Sequence, residues 1–358
     1  MSDYSYQIHL SEKIFRDCIN PSFKASVLAA APGSGKTTMS HMAISKYLKK
    51  YPNAKVVVLT HGQTLLRNQY IENLIEPNIE IDFTFSAFGP GSKNNPEAQV
   101  QVGLPQSIKH LSWNKIDLLV VDECHEFYLK KMVQNIIKEL KPTHQILLTG
   151  SPSDFNRLKK SGENYAISYV SGNELMKNDV FSAVELDVVP VSFKKNSKQT
   201  LIEMLDRAKK RGKNLSKIMV AVKTINEAKN VAYYLKSIGR NVALSTCKND
   251  RSNITVGQFK NGNYDTLVVV MRGILGFSDN DITGLFDLRC SESVDISNQL
   301  FSRVLRKHPK NIQKFYYRCG EKGVSDFNDQ VIMLYKIKAM MQKDIFKKYD
   351  GTNLEVRY

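Results

Sequence analysis

Residues 25–38 read ASVLAAAPGSGKTT, and they carry the clearest structural signal in the chain. Ala25–Ala30 is a nearly continuous run of small and apolar residues, which predicts a strand covered on both faces, as in a parallel sheet. A glycine-rich turn follows, and from Lys36 a helical pattern extends to Lys50. A strand, a glycine turn and a helix in this order are typical of a loop that binds phosphate groups.

The residue types in this turn suit phosphate chemistry. Gly33 and Gly35 allow backbone N–H groups to point into one cavity, and the helix adds the positive end of its dipole. Lys36 reaches the outer phosphates, so we expect it to be both a binding and a catalytic residue. The Thr37 hydroxyl ligates Mg²⁺. The strict pattern has glycine where this chain has Ala30, which leaves the geometry intact. We expect the loop to hold a nucleotide through Gly33, Ser34, Gly35, Lys36, Thr37 and Thr38.

An acidic pair follows a later buried strand of the same half. The run from Ile116 to Val121 is mainly apolar and leads directly into Asp122 and Glu123. Asp122 would hold Mg²⁺, directly or through water, and Glu123 would polarise an attacking water as general base. Acidic pairs are common in turns, but the position after a buried strand of the domain that carries Lys36 favours a hydrolase site.

Strands and helices alternate along the whole chain. In the first half we predict strands at Ala25–Ala30, Lys55–Thr60, Asp117–Asp122 and Gln145–Thr149, and helices at Lys36–Lys50, Gln63–Leu74 and Phe127–Leu140. In the second half we predict strands at Lys217–Val222, Val242–Ser245, Thr266–Val270, Thr283–Leu288 and Lys314–Arg318, and helices at Ile225–Ile238 and Ile296–Leu305. This order predicts an α/β chain with two mainly parallel sheets, each flanked by helices. We place the domains at residues 1–180 and 181–358, the second ending in a helix over Lys322–Tyr358.

The composition is that of a folded, strongly basic protein. Lysine and arginine number 51 against 35 acidic residues, so the formal net charge is +16, and 42% of the 358 residues are hydrophobic. This surplus favours a polyanionic partner, nucleic acid before an anionic membrane. No apolar stretch reaches the roughly 18 residues of a spanning helix and no signal peptide is visible. We therefore expect no membrane association and a cytoplasmic, not secreted, protein with its five cysteines as free thiols.

At the acidic pair the chain resembles the superfamily 2 helicases and translocases. The second motif of that family is Asp-Glu-x-His, and residues 122–125 read DECH. Residues 148–152, LTGSP, resemble the third motif, which couples hydrolysis to nucleic acid; the resemblance assigns this coupling to Thr149 and Ser151. The motifs occur in the family's order along the chain.

Two further motifs of this family are found in the second half. Residues 299–306, QLFSRVLR, resemble the sixth motif with Ser302 in the glycine position. Residues 259–270 resemble the approach to the fifth motif, where Met271 replaces the usual threonine and Asp279 takes the place of the acidic residue near the nucleotide. The resemblance implies two tandem RecA-like domains of the P-loop NTPase type, which use ATP and Mg²⁺, and it makes Gln7 the residue that reads adenine.

The residues of the sixth motif also have a physical rationale of their own. Gln299, Arg303 and Arg306 have the spacing of one helical face. From there two guanidinium groups would stabilise the charge that builds on the γ-phosphate during its transfer, which makes all three catalytic candidates. A solvated basic face is the plainer interpretation of the same residues, since Lys307 and His308 follow.

Several segments at strand ends are candidates for contacts with nucleic acid. Backbone N–H groups at Thr60, His61 and Gly62 would bind a strand phosphate, although Thr60 is an equally good helix N-cap. In the second domain the candidates that follow strands are Lys223, Thr224, Arg272 and Gly273. We expect Gly89–Glu97 to be a mobile surface loop and Trp113 to pack in the core rather than stack on a base.

These features together predict an ATP-dependent, nucleic-acid-stimulated motor that moves on or unwinds DNA, with RNA also open, and that acts as a monomer. A remodeller that anneals strands or displaces proteins without unwinding is an alternative. A P-loop phosphotransferase for a small molecule is another, but it leaves the paired arginines and the positive charge unexplained. The compact length and the DECH and TGSP variants point to a phage or other viral source, in which case the protein would act in the host cytoplasm.

Overall fold

The computed structural model describes residues 5–31, 33–60, 70–71, 74, 80–92, 94–150, 162–170, 172–182, 184–191, 196–246, 248, 250, 254–270, 279–289 and 294–321. The described residues divide into two compact units, of which the first extends to Val170 and the second begins at Gly172. The boundary expected after residue 180 remains a prediction. No helix among the described residues is both long enough and apolar enough to cross a membrane.

The first unit is built on a seven-stranded sheet in which every pair of neighbours is parallel. Its strands are β1 Ala25–Ala30, β2 Val56–Leu59, β3 Phe85–Phe88, β4 Val100–Gly103, β5 Leu118–Val121, β6 His144–Thr149 and β7 Tyr165–Val170. They lie in the order β3-β4-β2-β5-β6-β1-β7. The carboxyl ends of β1, β5 and β6 therefore meet at one edge of the sheet, with β6 between the other two.

Helices and a 3₁₀ turn surround this sheet. They are α1 Ser5–Cys18, α2 Lys36–Lys50, the 3₁₀ helix Pro105–His110, α3 Cys124–Phe127 and α4 Lys131–Leu140. Helix α1 packs on both α2 and β1. Its buried residues Tyr6, Leu10, Ile14 and Cys18 recur every fourth position, which places them on one helical face.

The second unit contains a six-stranded sheet that is also parallel throughout. Its strands are β8 Val184–Val191, β9 Ile218–Val222, β10 Val242–Ser245, β11 Thr266–Val270, β12 Gly284–Asp287 and β13 Lys314–Glu321, in the order β10-β11-β9-β12-β13-β8. Its helices are α5 Gly172–Lys177, α6 Ser197–Lys210, α7 Ile225–Ser237, α8 Ile254–Lys260 and α9 Val294–Leu305.

A buried polar network stabilises the second sheet near the carboxyl end of β12. Asp287 is fully buried and accepts hydrogen bonds from Arg289 Nε (2.8 Å), Arg289 Nη2 (3.1 Å) and the Tyr316 hydroxyl (2.8 Å). Burial alone would raise the pKa of Asp287, but the positive charge of Arg289 and these hydrogen bonds keep the pKa below its usual range. The Tyr316 ring in turn packs edge-on against Phe301 of α9, so the network supports that helix.

The structure corrects three local expectations. Residues 127–140 are not one helix, because α3 ends at Phe127 and α4 begins at Lys131. The described part of the loop 89–97 is anchored, not free: Asn94 Nδ2 donates to the His110 carbonyl at 2.9 Å, and Asn95 N donates to Ser86 Oγ at 2.7 Å. The strands β3, β4, β7 and β8, the helices α1, α5, α6 and α8 and the 3₁₀ helix were not predicted.

Other expectations hold at the level of single elements. Strand β1 and helix α2 have the predicted bounds. Trp113 is buried in the core of the first unit and donates from Nε1 to the Pro96 carbonyl at 3.2 Å, as expected of a packing residue. The structure describes only residues 70–71 and 74 of the helix predicted at Gln63–Leu74, and the one predicted at Lys322–Tyr358 lies outside the described residues.

Candidate nucleotide site and strand-end contacts

The glycine turn after β1 has the backbone that a phosphate loop requires. Gly33 and Gly35 have φ angles of 91° and 88°, which side-chain-bearing residues rarely adopt. Helix α2 begins directly after Gly35, and Thr37 and Thr38 lie in its first turn. The Lys36 side chain is buried, and its Nζ donates to the Ala30 carbonyl at 3.1 Å. The turn therefore folds around the Lys36 amine at the end of β1.

Helix α1 closes over this turn through two adjacent residues. The Tyr6 hydroxyl donates to the Ser34 carbonyl at 2.6 Å, and Gln7 Nε2 donates to the same carbonyl at 3.3 Å. Gln7 lies so close to Gly35 that a Cβ there would be 2.4 Å from Gln7 Nε2. The structure thus brings Gln7 to the glycine turn. Its role in reading adenine remains a prediction.

A buried hydroxyl in the turn has no partner among the described residues. Ser34 is 1% exposed, and its Oγ makes no hydrogen bond with any of them. Unsatisfied buried polar atoms are uncommon in folded proteins. The orphaned oxygen beside the turn is compatible with a polar ligand such as a phosphate group.

The acidic pair lies at the same edge of the sheet, after β5. Asp122 is buried, and its Oδ1 accepts a hydrogen bond from Glu123 N at 3.0 Å. Burial raises the pKa of Asp122 well above its usual range, and the adjacent charge of Glu123 adds to this, while Lys36 acts in the opposite direction. Lys36 and the acidic pair are therefore within electrostatic range of each other, as the motif interpretation required.

The donor set at this edge fits Mg²⁺. A carboxylate that burial and a like charge hold against ionisation is stabilised in its charged form by a divalent cation. Mg²⁺ usually takes one or two carboxylates together with substrate phosphates. Asp122 and the Thr37 hydroxyl would supply the protein ligands, with the charge of the cation balancing that of the phosphates.

Glu123 has an unusual backbone. Its φ is 48°, in the left-handed region, although it is not glycine. It stands at the junction between β5 and α3, where it is the N-cap residue of α3. Strain of this kind is found most often at functional sites, where the surrounding structure maintains it.

Two strand ends beside the acidic pair carry buried threonines. Thr149 ends β6, the strand between β1 and β5, and is 2% exposed. Thr60 follows β2; its backbone N donates to the Gly103 carbonyl at 3.1 Å, and its buried Oγ1 makes no hydrogen bond within the described part of the chain. The predicted partners Ser151, His61 and Gly62 lie outside the described residues.

A buried pair behind the glycine turn was missed by the sequence interpretation. His41 of α2 is 2% exposed, and burial lowers its pKa to about 4. Its ring packs edge-on against Tyr70 at 5.6 Å between centroids. Burial also raises the pKa of the Tyr70 hydroxyl, with a further contribution from the charge of Asp122. The sequence did carry a signal, because His41 lies in the predicted helix Lys36–Lys50, five residues after Lys36.

Arg303 and Arg306 of the second unit do not lie on one helical face, although the sequence predicted that they would. Gln299 and Arg303 belong to α9, but the helix ends at Leu305. Arg306 instead pairs with Phe181 in an antiparallel bridge, since Ser182 N donates to the Leu305 carbonyl and Lys307 N to the Val180 carbonyl. Because of these backbone hydrogen bonds, Arg306 has the geometry of a β-bridge and not that of a helix.

Arg306 and Asp279 lie near the same buried amine. Lys314, at the amino end of β13, has its pKa lowered to about 8, mainly by burial, with Arg306 adding to the effect and Asp279 opposing it. Asp279 itself is held by its own chain: Oδ2 pairs with Lys217 Nζ at 2.8 Å, and Oδ1 accepts from Asp281 N at 2.9 Å. The structure thus gives Asp279 a structural ion pair, and its nucleotide contact remains a prediction.

The contacts of Thr224 differ from those expected. Thr224 is the N-cap of α7 in a capping box, in which its Oγ1 accepts from Glu227 N and Glu227 Oε2 accepts from Thr224 N. Glu227 Oε2 also accepts from Lys223 N at 3.0 Å. The backbone N–H groups here are therefore engaged within the protein, and the Lys223 side chain is exposed. Arg272 and Gly273 lie outside the described residues.

The chain is similar in sequence to one protein family over its first part and similar in fold to several solved structures. Residues 1–154 match the family described as type III restriction enzyme, res subunit. S. cerevisiae Dbp5 bound to RNA and ADP BeF3 superposes with a TM-score of 0.70 at 16% identity, over 91% of this chain and 86% of its own. The Hef helicase domain of Pyrococcus furiosus gives 0.56 at 15% identity, over 93% and 99%. A DEAD box protein of Methanococcus jannaschii gives 0.51 at 16% identity, over 91% and 89%. No curated protein sequence matches the chain.

The fold class is confirmed: the two parallel sheets flanked by helices match the RecA-like domains of these solved structures. The resemblance to superfamily 2 helicases is supported by the family match over residues 1–154, which is less than half of the chain. The DECH subtype and the viral source remain predictions.

Proposed function

We propose that this protein is a nucleic-acid helicase or translocase that hydrolyses ATP at the turn after β1 and couples hydrolysis to movement on a strand. The observation that carries the proposal is the convergence, at one sheet edge, of the buried Lys36 amine, the orphaned Ser34 hydroxyl and the acidic pair. The family match and the helicase folds of its structural relatives support the same activity.

Each residue of the edge has a role in this proposal. The N–H groups of the turn and Lys36 bind the phosphates, and Mg²⁺, held by Thr37 and Asp122, neutralises the charge that develops during transfer. Glu123 accepts a proton from the attacking water. Arg303 and Arg306 of the second unit stabilise the γ-phosphate, with Gln299 beside them, and Gln7 contacts the base.

The strand contacts complete the proposal. Thr60, His61 and Gly62 of the first unit and Lys223, Arg272 and Gly273 of the second bind phosphates of the strand, and Thr149 and Ser151 couple this binding to hydrolysis. Because the hydroxyl and the N–H of Thr224 cap helix α7, we propose that Thr224 supports Lys223 and does not itself bind the strand. The match to a restriction-enzyme family favours DNA, and the RNA in the Dbp5 structure keeps RNA open. We propose a cytoplasmic monomer.

The first test is ATP turnover with and without polynucleotide. Single-stranded DNA, duplex DNA, branched DNA and RNA are compared as activators. Glu123→Gln should reduce turnover by roughly 100-fold or more while a fluorescent ATP analogue still binds, because only the base is lost. Glu139→Gln, at an exposed position of α4, is the matched control and should keep full turnover. Wild-type turnover in Glu123→Gln would refute the assignment.

The arginines need a separate test. Arg303→Lys and Arg306→Lys keep the charge but lose the planar fork, and Arg306→Ala loses both. We expect each variant to reduce turnover by tenfold or more with little change in nucleotide affinity. Unchanged turnover in all three would assign these residues to a solvated basic face. A strand-separation assay beside an annealing assay then distinguishes a helicase from a remodeller.

A further inference from the structure

The outer side of α7 is basic and aromatic, and it has no role in the core. Its core-facing residues are Ala228, Val231, Ala232 and Leu235. Its exposed residues are Asn226, Lys229, Asn230, Tyr233, Lys236 and Ser237. Within Ile225–Ser237, all of which the structure describes, the sole carboxylate is Glu227, and it is engaged in the capping box. The exposed side of this helix therefore carries positive charge and amide groups with no opposing acid of its own.

Tyr233 is the most notable residue of this surface. It is 78% exposed, more than any other large hydrophobic residue of the described chain that lies on the surface. Its neighbour Tyr234 is half-buried, and Lys198 Nζ of α6 lies 5.5 Å from the centre of its ring. Lys229 and Lys236 stand four residues before and three residues after Tyr233, so both flank its ring on the same helical face. A protruding aromatic ring between lysines combines a stacking platform with charge.

We propose that this surface, formed by Lys198, Lys229, Tyr233 and Lys236, is a second binding surface for single-stranded nucleic acid. The inference rests on the proposed function and extends it from the strand-end loops to an outer helical face. Tyr233 stacks on an unpaired base, and the lysines contact the flanking phosphates. A single strand is the occupant because its bases offer free faces to an aromatic ring, whereas those of a duplex are already stacked.

The position of Lys223 gives this surface continuity with the strand-end contacts. Lys223 is exposed at the amino end of α7, where β9 ends. From Lys223 to Lys236 the helix rises about 20 Å, so a strand held at Lys223 can continue down the helix across Tyr233. The surface would then guide the strand away from the loops and increase the number of phosphates bound.

The lysines are tested by binding of a fluorescent oligo(dT) without nucleotide. Lys229→Glu/Lys236→Glu should weaken binding by tenfold or more and reduce the dependence of the affinity on salt, because two phosphate contacts are lost. Lys131→Glu/Lys138→Glu is the matched control, since these lysines are exposed on α4 with the same seven-residue spacing. The control should weaken binding by less than threefold. Equal losses in the two variants would mean that only net charge matters and would overturn the proposal.

Tyr233 is tested by its stacking. Tyr233→Phe should keep the affinity, and Tyr233→Ser should lose roughly fivefold or more. In Tyr233→Trp, oligo(dT) should quench the new indole fluorescence beyond the change seen for Trp113 in the wild type. Poly-glutamate of similar charge should not quench it. Quenching by poly-glutamate, or full affinity of Tyr233→Ser, would point to an acidic protein partner or a plain electrostatic surface and would refute stacking.

These outcomes are distinct from those for the proposed function. ATP turnover without polynucleotide should be unchanged in all α7 variants, because none lies in the nucleotide site. If the wild type binds oligo(dT) and its turnover is stimulated, but the α7 variants match their control, this inference alone fails. If the wild type neither binds oligonucleotide nor hydrolyses ATP, both fail.

Discussion

Gly35 is the residue at which backbone and packing constraints coincide. Its φ of 88° disfavours any side chain, and Gln7 occupies the space where a Cβ would lie. The glycine therefore lets the turn adopt its shape and lets α1 approach it. This second requirement explains why a residue near the amino terminus bears on a turn that follows β1, a relation that spacing along the chain does not reveal.

Gly35→Ala should destabilise the first unit more than the same change at Gly91. Both glycines have positive φ, but at Gly91 no described atom lies within 4 Å of the place that a methyl group would take. The conformational cost is about 1–2 kcal/mol at each position, and the clash with Gln7 adds to it only at Gly35. Urea unfolding measures both variants. Gln7→Ala in the Gly35→Ala background should remove this extra cost; equal costs for the two single glycine variants would contradict the close approach.

His41 makes a prediction about pH. Its pKa is lowered to about 4 by burial, below the ordinary value of 6.5. Between these values the unfolded chain binds more protons than the folded one, so stability is present above pH 6.5 and is lost as the pH falls towards 4. Between pH 7.5 and pH 5 the wild type should lose about 2 kcal/mol more than His41→Phe, which keeps a ring against Tyr70.

Urea unfolding of the two proteins at several pH values checks this prediction. The exposed His110 offers a control, because His110→Gln should follow the wild type. Parallel pH curves for the wild type and His41→Phe would show that the His41 ring is hydrated in the folded protein.

At the scale of elements, the motif-bearing segments were predictable and the others were not. β1 and α2 have strong signals, a continuous apolar run and a helical pattern from a glycine turn, so their bounds agree with the structure. β3 and β4 have only four residues each, and Gln101 and Gly103 interrupt the apolar pattern of β4. Neither segment can therefore be distinguished from a loop by its sequence pattern. Helix α1 did carry a signal, an apolar residue at every fourth position from Tyr6 to Cys18.

The path of Arg306 was beyond sequence reasoning for a different reason. Its spacing from Gln299 fits a helix, but the bridge to Phe181 depends on a segment more than a hundred residues earlier in the chain. A periodic pattern reports which face of a helix is apolar, and it does not report where tertiary hydrogen bonds end the helix.

The capping box of α7 gives a test at this scale. Thr224→Ala should lower the free energy of unfolding of the second unit by about 1 kcal/mol, and Thr224→Ser should not. Asn196 caps α6 in the same way, so Asn196→Ala should have a similar cost and serves as the comparison. Oligonucleotide affinity should change little in Thr224→Ala. A loss of affinity without a loss of stability would restore Thr224 as a direct contact.

At the scale of the whole molecule, the charge of +16 predicted a polyanionic partner but not its location. The structure shows why: many basic residues are paired within the fold, for example Arg207 with Asp187 at 2.5 Å and Lys217 with Asp279 at 2.8 Å. The charge available to a partner is therefore the part that remains on exposed faces, such as that of α7. The composition gives the total net charge, and only the structure shows which charged residues are paired within the protein and which are exposed.

This available charge predicts a strong effect of salt on the proposed binding of nucleic acid. If about five phosphates are neutralised, the affinity for single-stranded DNA should fall by roughly 100-fold between about 50 and 200 mM salt. The concentration of polynucleotide that half-stimulates ATP turnover should rise to the same degree. Turnover without polynucleotide should change little, because Ser34, Lys36 and Asp122 of the proposed nucleotide site are buried. Titrations at several salt concentrations measure the slope. A slope near zero would mean that base contacts, not phosphates, dominate binding, and the basic surfaces would then have another role.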